Sequence, residues 1–357
     1  MSPTPACLAV ACLAASTAFA QPAAEPPRFE VDTSWPSVPE AWVLGEVSSI
    51  AVAPDDHVWV LHRPRSIPED QRDRAAPPVL EFDQEGRLLT SWGGAGEGYD
   101  WPEREHGIWV DAENFVWISG NGGWPRPAPG TANDDMILKF TPAGEFVMQI
   151  GAAGASRGNG DTDNVHQPAD QFVQESTGEL YVADGYGNQR VIVFDANTGA
   201  FKRSWGAYGR QRSVAGALIN TNSPSGPNPE FGLVHAVKVS NDGIVYVADR
   251  GFQRIQWFTT EGLFTGQLVL EGEAAPAPAG FAFSPDDDQR WLYVVESANA
   301  RVLILDRESM TIVGQFGTRS AEPGGMDIAH HIAVDSSGNL YTAEIVNNRR
   351  AQRFLVR

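Results

Sequence analysis

The chain has 357 residues, 42% of them hydrophobic and 20% charged, with 26 Lys and Arg against 45 Asp and Glu. The formal net charge of −19 argues against nucleic acid or an anionic membrane as a partner, because both attract basic surfaces. The two cysteines, Cys7 and Cys12, both lie near the N-terminus, which excludes a disulfide scaffold, a cysteine-ligated zinc site and a cysteine nucleophile from the rest of the chain.

Residues 1–20 carry no charged side chain and consist mainly of small and apolar residues. They end in the sequence AFA (18–20), a small-x-small pattern that signal peptidase can cleave. This pattern predicts a signal peptide over residues 1–20 and export to the periplasm or the medium. No later stretch approaches the ~20 consecutive apolar residues of a membrane-spanning helix. The remaining residues, 21–357, are predicted to form a single domain.

Six segments of the sequence align with one another. Each is predicted to be an alternating strand, a tight turn of Asp, Asn, Gly or Ser, and a second strand of the VYVAD type, with a third and a fourth short strand after it. Four short strands that recur every 47 to 65 residues indicate the blades of a β-propeller. The anchor positions of the six aligned segments are Ser48, His106, Asp170, His235, Ala282 and His330.

The predicted fold is therefore an all-β, six-bladed β-propeller. The sixth blade ends at Arg357 after three strands, and the alternating segment FEVDTSWP (29–36) is expected to supply its fourth strand and close the ring. The long connections rich in Gly and Pro are all expected on one face of the ring, where such loops often carry function. They are residues 62–78, 121–134, 151–169, 207–233 and 318–329.

Three blades place a histidine just before the innermost strand, at the mouth of the central channel on the long-loop face. These residues are His106, His235 and His330, in blades 2, 4 and 6. Alternate blades of a sixfold ring have threefold symmetry, so three imidazoles would converge on the axis and leave a coordination position open, as in catalytic Zn²⁺ sites. Histidines bonded to one another or to water are the alternative. Asp170 is expected in the same position of blade 3, as a ligand, as a residue behind the ligands or as a turn-capping carboxylate.

Other polar residues are predicted at the same mouth, at the ends of second strands. Arg63 and Arg250 each lie fifteen residues after their blade anchors, and Tyr186 follows the VAD strand of blade 3. Two guanidinium groups beside a metal favour the capture of a carboxylate or carbonyl. Tyr186 is a candidate general base. The alternative is that both arginines pair with acidic residues at blade edges and that Tyr186 only packs.

The repeats resemble NHL repeats, and the order of the motifs resembles peptidyl-α-hydroxyglycine α-amidating lyase, the lyase domain of peptidylglycine α-amidating monooxygenase. The resemblance lies in HRPR (62–65), HGIWVD (106–111), QPADQFVQESTGELYVADGYGNQR (167–190), HAVKVSNDGIVYVADR (235–250) and DIAHHIAVD (327–335).

The resemblance implies that His106, His235 and His330 bind catalytic zinc and that Tyr186 is the proposed base. It also implies that Arg63 and Arg250 hold the substrate. The family has an Asp directly after its third zinc histidine, where it contributes to a structural calcium site. In this sequence His331 occupies that position, which argues against a calcium ion.

The expected function is that of an exported, zinc-dependent lyase that cleaves a carbinolamide C–N bond and gives an amide and glyoxylate. The substrate would be a small molecule or peptide with a carboxylate, and the protein would act as a monomer. Two alternatives stay open: a metal-dependent hydrolase of another small substrate at the same site, and a non-catalytic NHL propeller that binds protein or glycan.

Overall fold

Six four-stranded antiparallel sheets make up the computed structural model, which describes residues 25–125, 132–210, 229–272 and 274–357. The predicted signal peptide over residues 1–20 lies outside the described residues. In blades 1 to 3 the strands, from the innermost to the outermost, are β2 (Glu46–Val52), β3 (Val58–Arg63), β4 (Val79–Phe82) and β5 (Leu88–Trp92); β6 (Glu105–Val110), β7 (Val116–Gly120), β8 (Met136–Phe140) and β9 (Phe146–Gly151); and β10 (Asp170–Gln174), β11 (Glu179–Asp184), β12 (Arg190–Asp195) and β13 (Phe201–Trp205).

Blades 4 to 6 follow the same order, except that the outermost strand of blade 6 comes from the start of the chain. The strands are β14 (Val234–Val239), β15 (Ile244–Asp249), β16 (Arg254–Thr259) and β17 (Phe264–Val269); β18 (Pro278–Phe283), β19 (Trp291–Glu296), β20 (Arg301–Asp306) and β21 (Thr311–Phe316); and β22 (Ile328–Val334), β23 (Leu340–Ile345), β24 (Ala351–Val356) and β1 (Phe29–Asp32). The prediction of an all-β, six-bladed propeller is confirmed.

The ring closes between the two ends of the chain, as predicted. Strand β1 pairs antiparallel with β24, from Phe29 opposite Val356 to Asp32 opposite Arg353. The Nε–H of Arg353 donates to Asp32 Oδ2 over 2.9 Å, which adds a side-chain contact to the backbone pairing. Without disulfides, closure depends on these non-covalent contacts.

The core consists of six apolar clusters, each formed between two successive blades, including blades 6 and 1. Strands on the inside of each blade are therefore buried on both faces, whereas outer strands such as β13 alternate between exposed and buried residues. In each blade the second strand contributes one large buried aromatic side chain, and the six side chains lie at the same level of the ring. These are Trp59, Trp117, Tyr181, Tyr246, Tyr293 and Tyr341.

The connections between blades and between second and third strands carry short 3-10 turns. The turns span Pro64–Ser66, Glu69–Arg74, Ala207–Gly209, Arg250–Phe252 and Ser297–Asn299. Two of the long connections, 121–134 and 207–233, lie partly outside the described residues. Among the helices in the described part of the chain, none is long and apolar enough to cross a membrane.

Candidate metal centre

A β-bulge near the start of the innermost strand places each candidate ligand. In blades 2, 4 and 6 the pairing register shifts by one residue at His106, His235 and His330. The same shift occurs at Ser48 in blade 1 and at Ala279 in blade 5. A bulged residue leaves the regular side-chain alternation of the strand, which directs its side chain toward the channel mouth.

Two of the predicted anchor positions are wrong. Blade 3 has no bulge, and Asp170 pairs with Ala183 as the first residue of β10, so the residue level with the histidines is Ala169. In blade 5 that residue is Ala279, because Ala282 pairs with Tyr293 three residues further along β18. Asp170 therefore lies one level below the three histidines, at the level of His331, which pairs with Ala343.

The three histidine rings meet around the channel axis. Their centroids are 5.0 Å apart for His106 and His235, 4.6 Å for His106 and His330, and 4.8 Å for His235 and His330. All three side chains are buried, with at most 1% of the residue exposed. The separations are almost equal, as expected for ligands supplied by alternate blades of a sixfold ring.

The next blade fixes the tautomer of each ring. The Nδ1 atoms of His106, His235 and His330 lie 2.6, 2.7 and 2.6 Å from the carbonyl oxygens of Ala169, Ala279 and Ser48. A carbonyl oxygen only accepts, so each Nδ1 carries the proton and each Nε2 carries a free electron pair. Metal-binding imidazoles are commonly oriented through such a second hydrogen bond.

Burial also keeps the rings in the form that binds metal. It is the largest cause that lowers the pKa of each of the three histidines well below the ordinary value. The positive charge of Arg250 adds to the effect on His235, and the neighbouring histidines add to it on His106 and His330. The imidazoles are therefore neutral at physiological pH.

The hydroxyl group of Tyr186 faces two of the Nε2 atoms. Its oxygen lies 3.0 Å from Nε2 of His106 and 3.2 Å from Nε2 of His235. The single hydroxyl proton can be donated to only one of these acceptors, so the three imidazoles present more electron pairs than this hydroxyl can satisfy. A cation bound by nitrogen ligands fits this donor set, and Zn²⁺ prefers it.

Two glycines hold the Tyr186 loop close to the neighbouring blade. A Cβ at Gly185 would lie 1.9 Å from the carbonyl oxygen of Val234, next to His235, and one at Gly187 would lie 2.0 Å from the ring of His166. The amide of Gly187 donates to the carbonyl of His166 over 3.0 Å. Only glycine therefore fits at position 185 this close to blade 4, and at position 187 this close to the ring of His166.

Arg63 lies at the mouth but is already engaged within the protein. Its Nε–H donates to the carbonyl oxygen of Glu105 over 2.7 Å, and Nη1 pairs with Glu46 Oε2 over 2.6 Å. Only 3% of the residue is exposed. Burial, and next to it the charge of Arg104, lowers the pKa of Arg63. Arg63 thus joins blade 1 to the residue that precedes His106.

Arg250 differs from Arg63 in the contacts of its guanidinium group. It begins the 3-10 turn after β15 and is half-buried, and its amide donates to the carbonyl of Leu233 over 2.9 Å. Its guanidinium has no hydrogen-bond or ion-pair partner among the described residues, yet its charge acts on His235. Of the two predicted arginines, Arg250 is the one whose guanidinium has none of its N–H groups engaged by the described residues.

His331 is also close to the cluster, because one nitrogen each of His106, His330 and His331 lies within 4.8 Å of the others. The Nδ1 of His331 lies 2.8 Å from the carbonyl oxygen of Ser48, which also accepts from His330. Its Nε2 is 3.9 Å from Oδ1 of Asp170. His235 is outside this group of three, but its Nε2 and that of His106 converge on the same hydroxyl, so it stays the predicted third ligand.

The residues one level below do not fit a calcium ion. Calcium prefers six to eight oxygen ligands, whereas position 331 offers an imidazole. The nearby carboxylate of Asp170 is already paired with the ammonium group of Lys238, 2.9 Å away.

Three residues near the centre were missed by sequence reasoning. Glu105 precedes His106, and burial raises the pKa of its carboxyl group to about 7. Trp124 packs edge-on against Tyr186 with ring centroids 5.1 Å apart, and 43% of it is exposed. Glu46 pairs with Arg63. No motif marks any of them, because a Glu in a charged run and a Trp in a loop are ordinary surface residues in a sequence.

No family model matches the chain. The chain is 26% identical over 334 residues to mouse NHL repeat-containing protein 3, and the match covers 90% of this chain and 82% of that protein. It is 23% identical over 324 residues to the probable peptidyl-alpha-hydroxyglycine alpha-amidating lyase of Caenorhabditis elegans, and this match covers 86% of this chain and 81% of the relative. These similarities support the resemblance to NHL-repeat proteins and to amidating lyases.

Among solved structures, virginiamycin B lyase from Staphylococcus aureus has the same fold, with a TM-score of 0.50 and 14% sequence identity. The match covers 87% of this chain and 84% of that structure. At this identity the likeness concerns the fold alone. The chain is thus a six-bladed propeller that is similar to NHL repeat-containing proteins and to amidating lyases.

Proposed function

We propose that the protein is an exported, zinc-dependent lyase that cleaves the C–N bond of a carbinolamide, such as a peptide ending in α-hydroxyglycine. The observation that carries the proposal is the convergence of two Nε2 atoms on the Tyr186 hydroxyl, with Nδ1 of all three histidines bonded to carbonyls of the next blade. Nε2 of His106, His235 and His330 would hold the metal. When bound, the metal supplies Lewis-acid polarisation of the substrate hydroxyl.

Tyr186 is the proton acceptor in this proposal. Its oxygen stands beside the Nε2 atoms, where Tyr186, acting as the phenolate after its own proton has left, would take the proton of the substrate hydroxyl. As the C–O bond becomes a carbonyl, the C–N electron pair moves to the amide nitrogen, which takes up the proton that Tyr186 received. The products are an amide and glyoxylate, so atoms and charge balance without a further reactant.

The two arginines have different roles in this proposal. Arg250 would bind the substrate carboxylate, because its guanidinium has no partner among the described residues and acts electrostatically on His235. Arg63 would keep Glu105 and His106 in place and add positive potential at the mouth. The substrate class is therefore a small molecule or peptide with a carboxylate next to the carbinolamide carbon. In this proposal the protein acts as a monomer.

The test is to incubate the zinc-loaded protein with N-benzoyl-α-hydroxyglycine and to measure glyoxylate and benzamide in equal amounts. Tyr186→Phe is the matched control, since it removes only the hydroxyl. A zinc-loaded, folded protein that releases no glyoxylate between pH 5 and 9 would exclude the amidating-lyase reaction. A metal-dependent hydrolase of another substrate would then be the next candidate for the same site.

A non-catalytic propeller is the second candidate function, favoured by the similarity to a mouse protein named only for its NHL repeats. Such a protein would bind protein or glycan through its long-loop face. Metal analysis separates the two candidates, because a plain binding propeller need not copurify with one zinc per chain.

A further inference from the structure

The channel contains a second polar layer beneath the three histidines. Asp170 of blade 3, which follows Ala169, and His331 of blade 6, which follows His330, lie in this layer, with His331 Nε2 and Asp170 Oδ1 3.9 Å apart. Both are buried and line a cavity of about 240 Å³ that opens between the short turns on the opposite face. An isolated carboxylate here would be costly, because so little of it reaches water.

Lys238 brings a positive charge to this layer from blade 4. Its Nζ lies 2.9 Å from Asp170 Oδ2, and the Lys238 and Asp170 side chains are only 10% and 1% exposed. The ammonium also lies 4.8 Å from the ring centroid of Trp109 and 5.7 Å from that of Phe172. A carboxylate and two aromatic faces around one buried ammonium form a cation site whose occupant is part of the chain.

We propose that the ammonium of Lys238 is a built-in cation that replaces a bound calcium ion in this channel. Asp170 is the carboxylate that faces His331, and Lys238 already neutralises it. A divalent cation at this point would meet the ammonium charge and an imidazole instead of a second carboxylate. The proposal concerns the channel floor and does not depend on the reaction at the mouth.

The experiment compares thermal unfolding in 1 mM CaCl₂ and in a buffer freed of calcium by a chelating resin before the protein is added, for four zinc-loaded proteins: the wild type, His331→Asp, the double variant Lys238→Ala/His331→Asp, and the double variant Lys139→Ala/His331→Asp. The Tm of the wild type is expected to be the same in both buffers. Only the Lys238 double variant should gain stability from calcium, by roughly 5 °C at a hundredfold excess over Kd, because it has two carboxylates and no ammonium.

His331→Asp is the sharpest control, since it supplies the second carboxylate while the ammonium stays. Lys139→Ala removes a different buried lysine, whose Nζ lies over Phe115 and Trp117. A wild-type Tm that is lower in the calcium-free buffer than in 1 mM CaCl₂, stoichiometric calcium in the purified wild type, or an equal calcium response in His331→Asp and in the Lys238 double variant would each overturn the proposal. So would a folded Lys238 double variant whose Tm calcium leaves unchanged.

Discussion

The hydroxyl oxygen of Tyr186 and Nε2 of His106 lie 3.0 Å apart, although one belongs to a loop of blade 3 and the other to the innermost strand of blade 2. Gly185 makes this contact possible, since any Cβ there would overlap the carbonyl of Val234. The loop therefore holds the hydroxyl at the point where the ligand nitrogens converge. The proposed base and the proposed metal ligands are thus neighbours, and substitutions that remove one side chain at a time can distinguish their roles.

Tyr186→Phe should leave metal binding intact and reduce kcat by about 10²–10⁴-fold, the usual contribution of a positioned acid or base. The ring still packs against Trp124 and His106, so the fold and KM should change little. Glyoxylate release and metal content, measured on the same sample, check this. A variant as active as the wild type would contradict the role of Tyr186 as base.

His235→Ala should abolish zinc binding and activity together, because it removes one of three nitrogen ligands. The loss of affinity should exceed the 10–100-fold that follows from disturbing an outer contact of a metal ligand. His166→Ala is the matched control, since that ring lies beside the Tyr186 loop but its Nδ1 is bonded to Asp135. Elemental analysis after dialysis is the measurement. Full zinc retention by His235→Ala would point to His331 as the third ligand instead.

Substitution of the two arginines should affect different properties, substrate binding for Arg250 and stability for Arg63. Arg250→Ala should raise KM by roughly 10–100-fold, as expected when a hydrogen bond to a charged group is lost, with an unchanged Tm. Arg63→Ala breaks a buried pair with Glu46 and should destabilise the fold by about 3 kcal/mol. Steady-state kinetics and urea unfolding of both variants separate binding from stability. Equal loss of stability in both variants would contradict the assignment of Arg250 as the free guanidinium.

Much of the fold was predictable because each blade repeats the same buried pattern, such as the aromatic residue of the second strand. The anchors of blades 3 and 5 were not. The aligned segments place Asp170 and Ala282 level with the histidines, but the absence of a bulge moves Asp170 by one residue and the longer turn of blade 5 hides Ala279. A bulge changes pairing without leaving a residue signature, so sequence similarity cannot locate it.

The candidate site was predicted in its residues but not in its contacts. Arg63 was expected to bind substrate because it follows a second strand at the mouth. The sequence does not reveal that Glu46, 17 residues earlier, and the carbonyl of Glu105 take up its N–H groups. Nor does it reveal the carbonyl partners of the three Nδ1 atoms, because these belong to the next blade and depend on the geometry of the ring.

The pair of His166 and Asp135 should give the protein a measurable pH dependence of stability. The two groups are 2.7 Å apart, and the hydrogen bond from His166 to Asp135, together with the charge of Asp135, raises the pKa of the imidazole above 6.5. Because the folded-state pKa is the higher one, the contribution to stability is fully present below pH 6.5 and is lost as pH rises through the folded-state pKa. The difference in free energy of unfolding between the wild type and His166→Gln should therefore shrink from pH 6 to pH 8.5.

Urea unfolding at intervals across that range measures this difference, with Asp135→Asn as a second variant that removes the same dependence. A difference that stays constant or grows with pH would show that the pair does not titrate in this way.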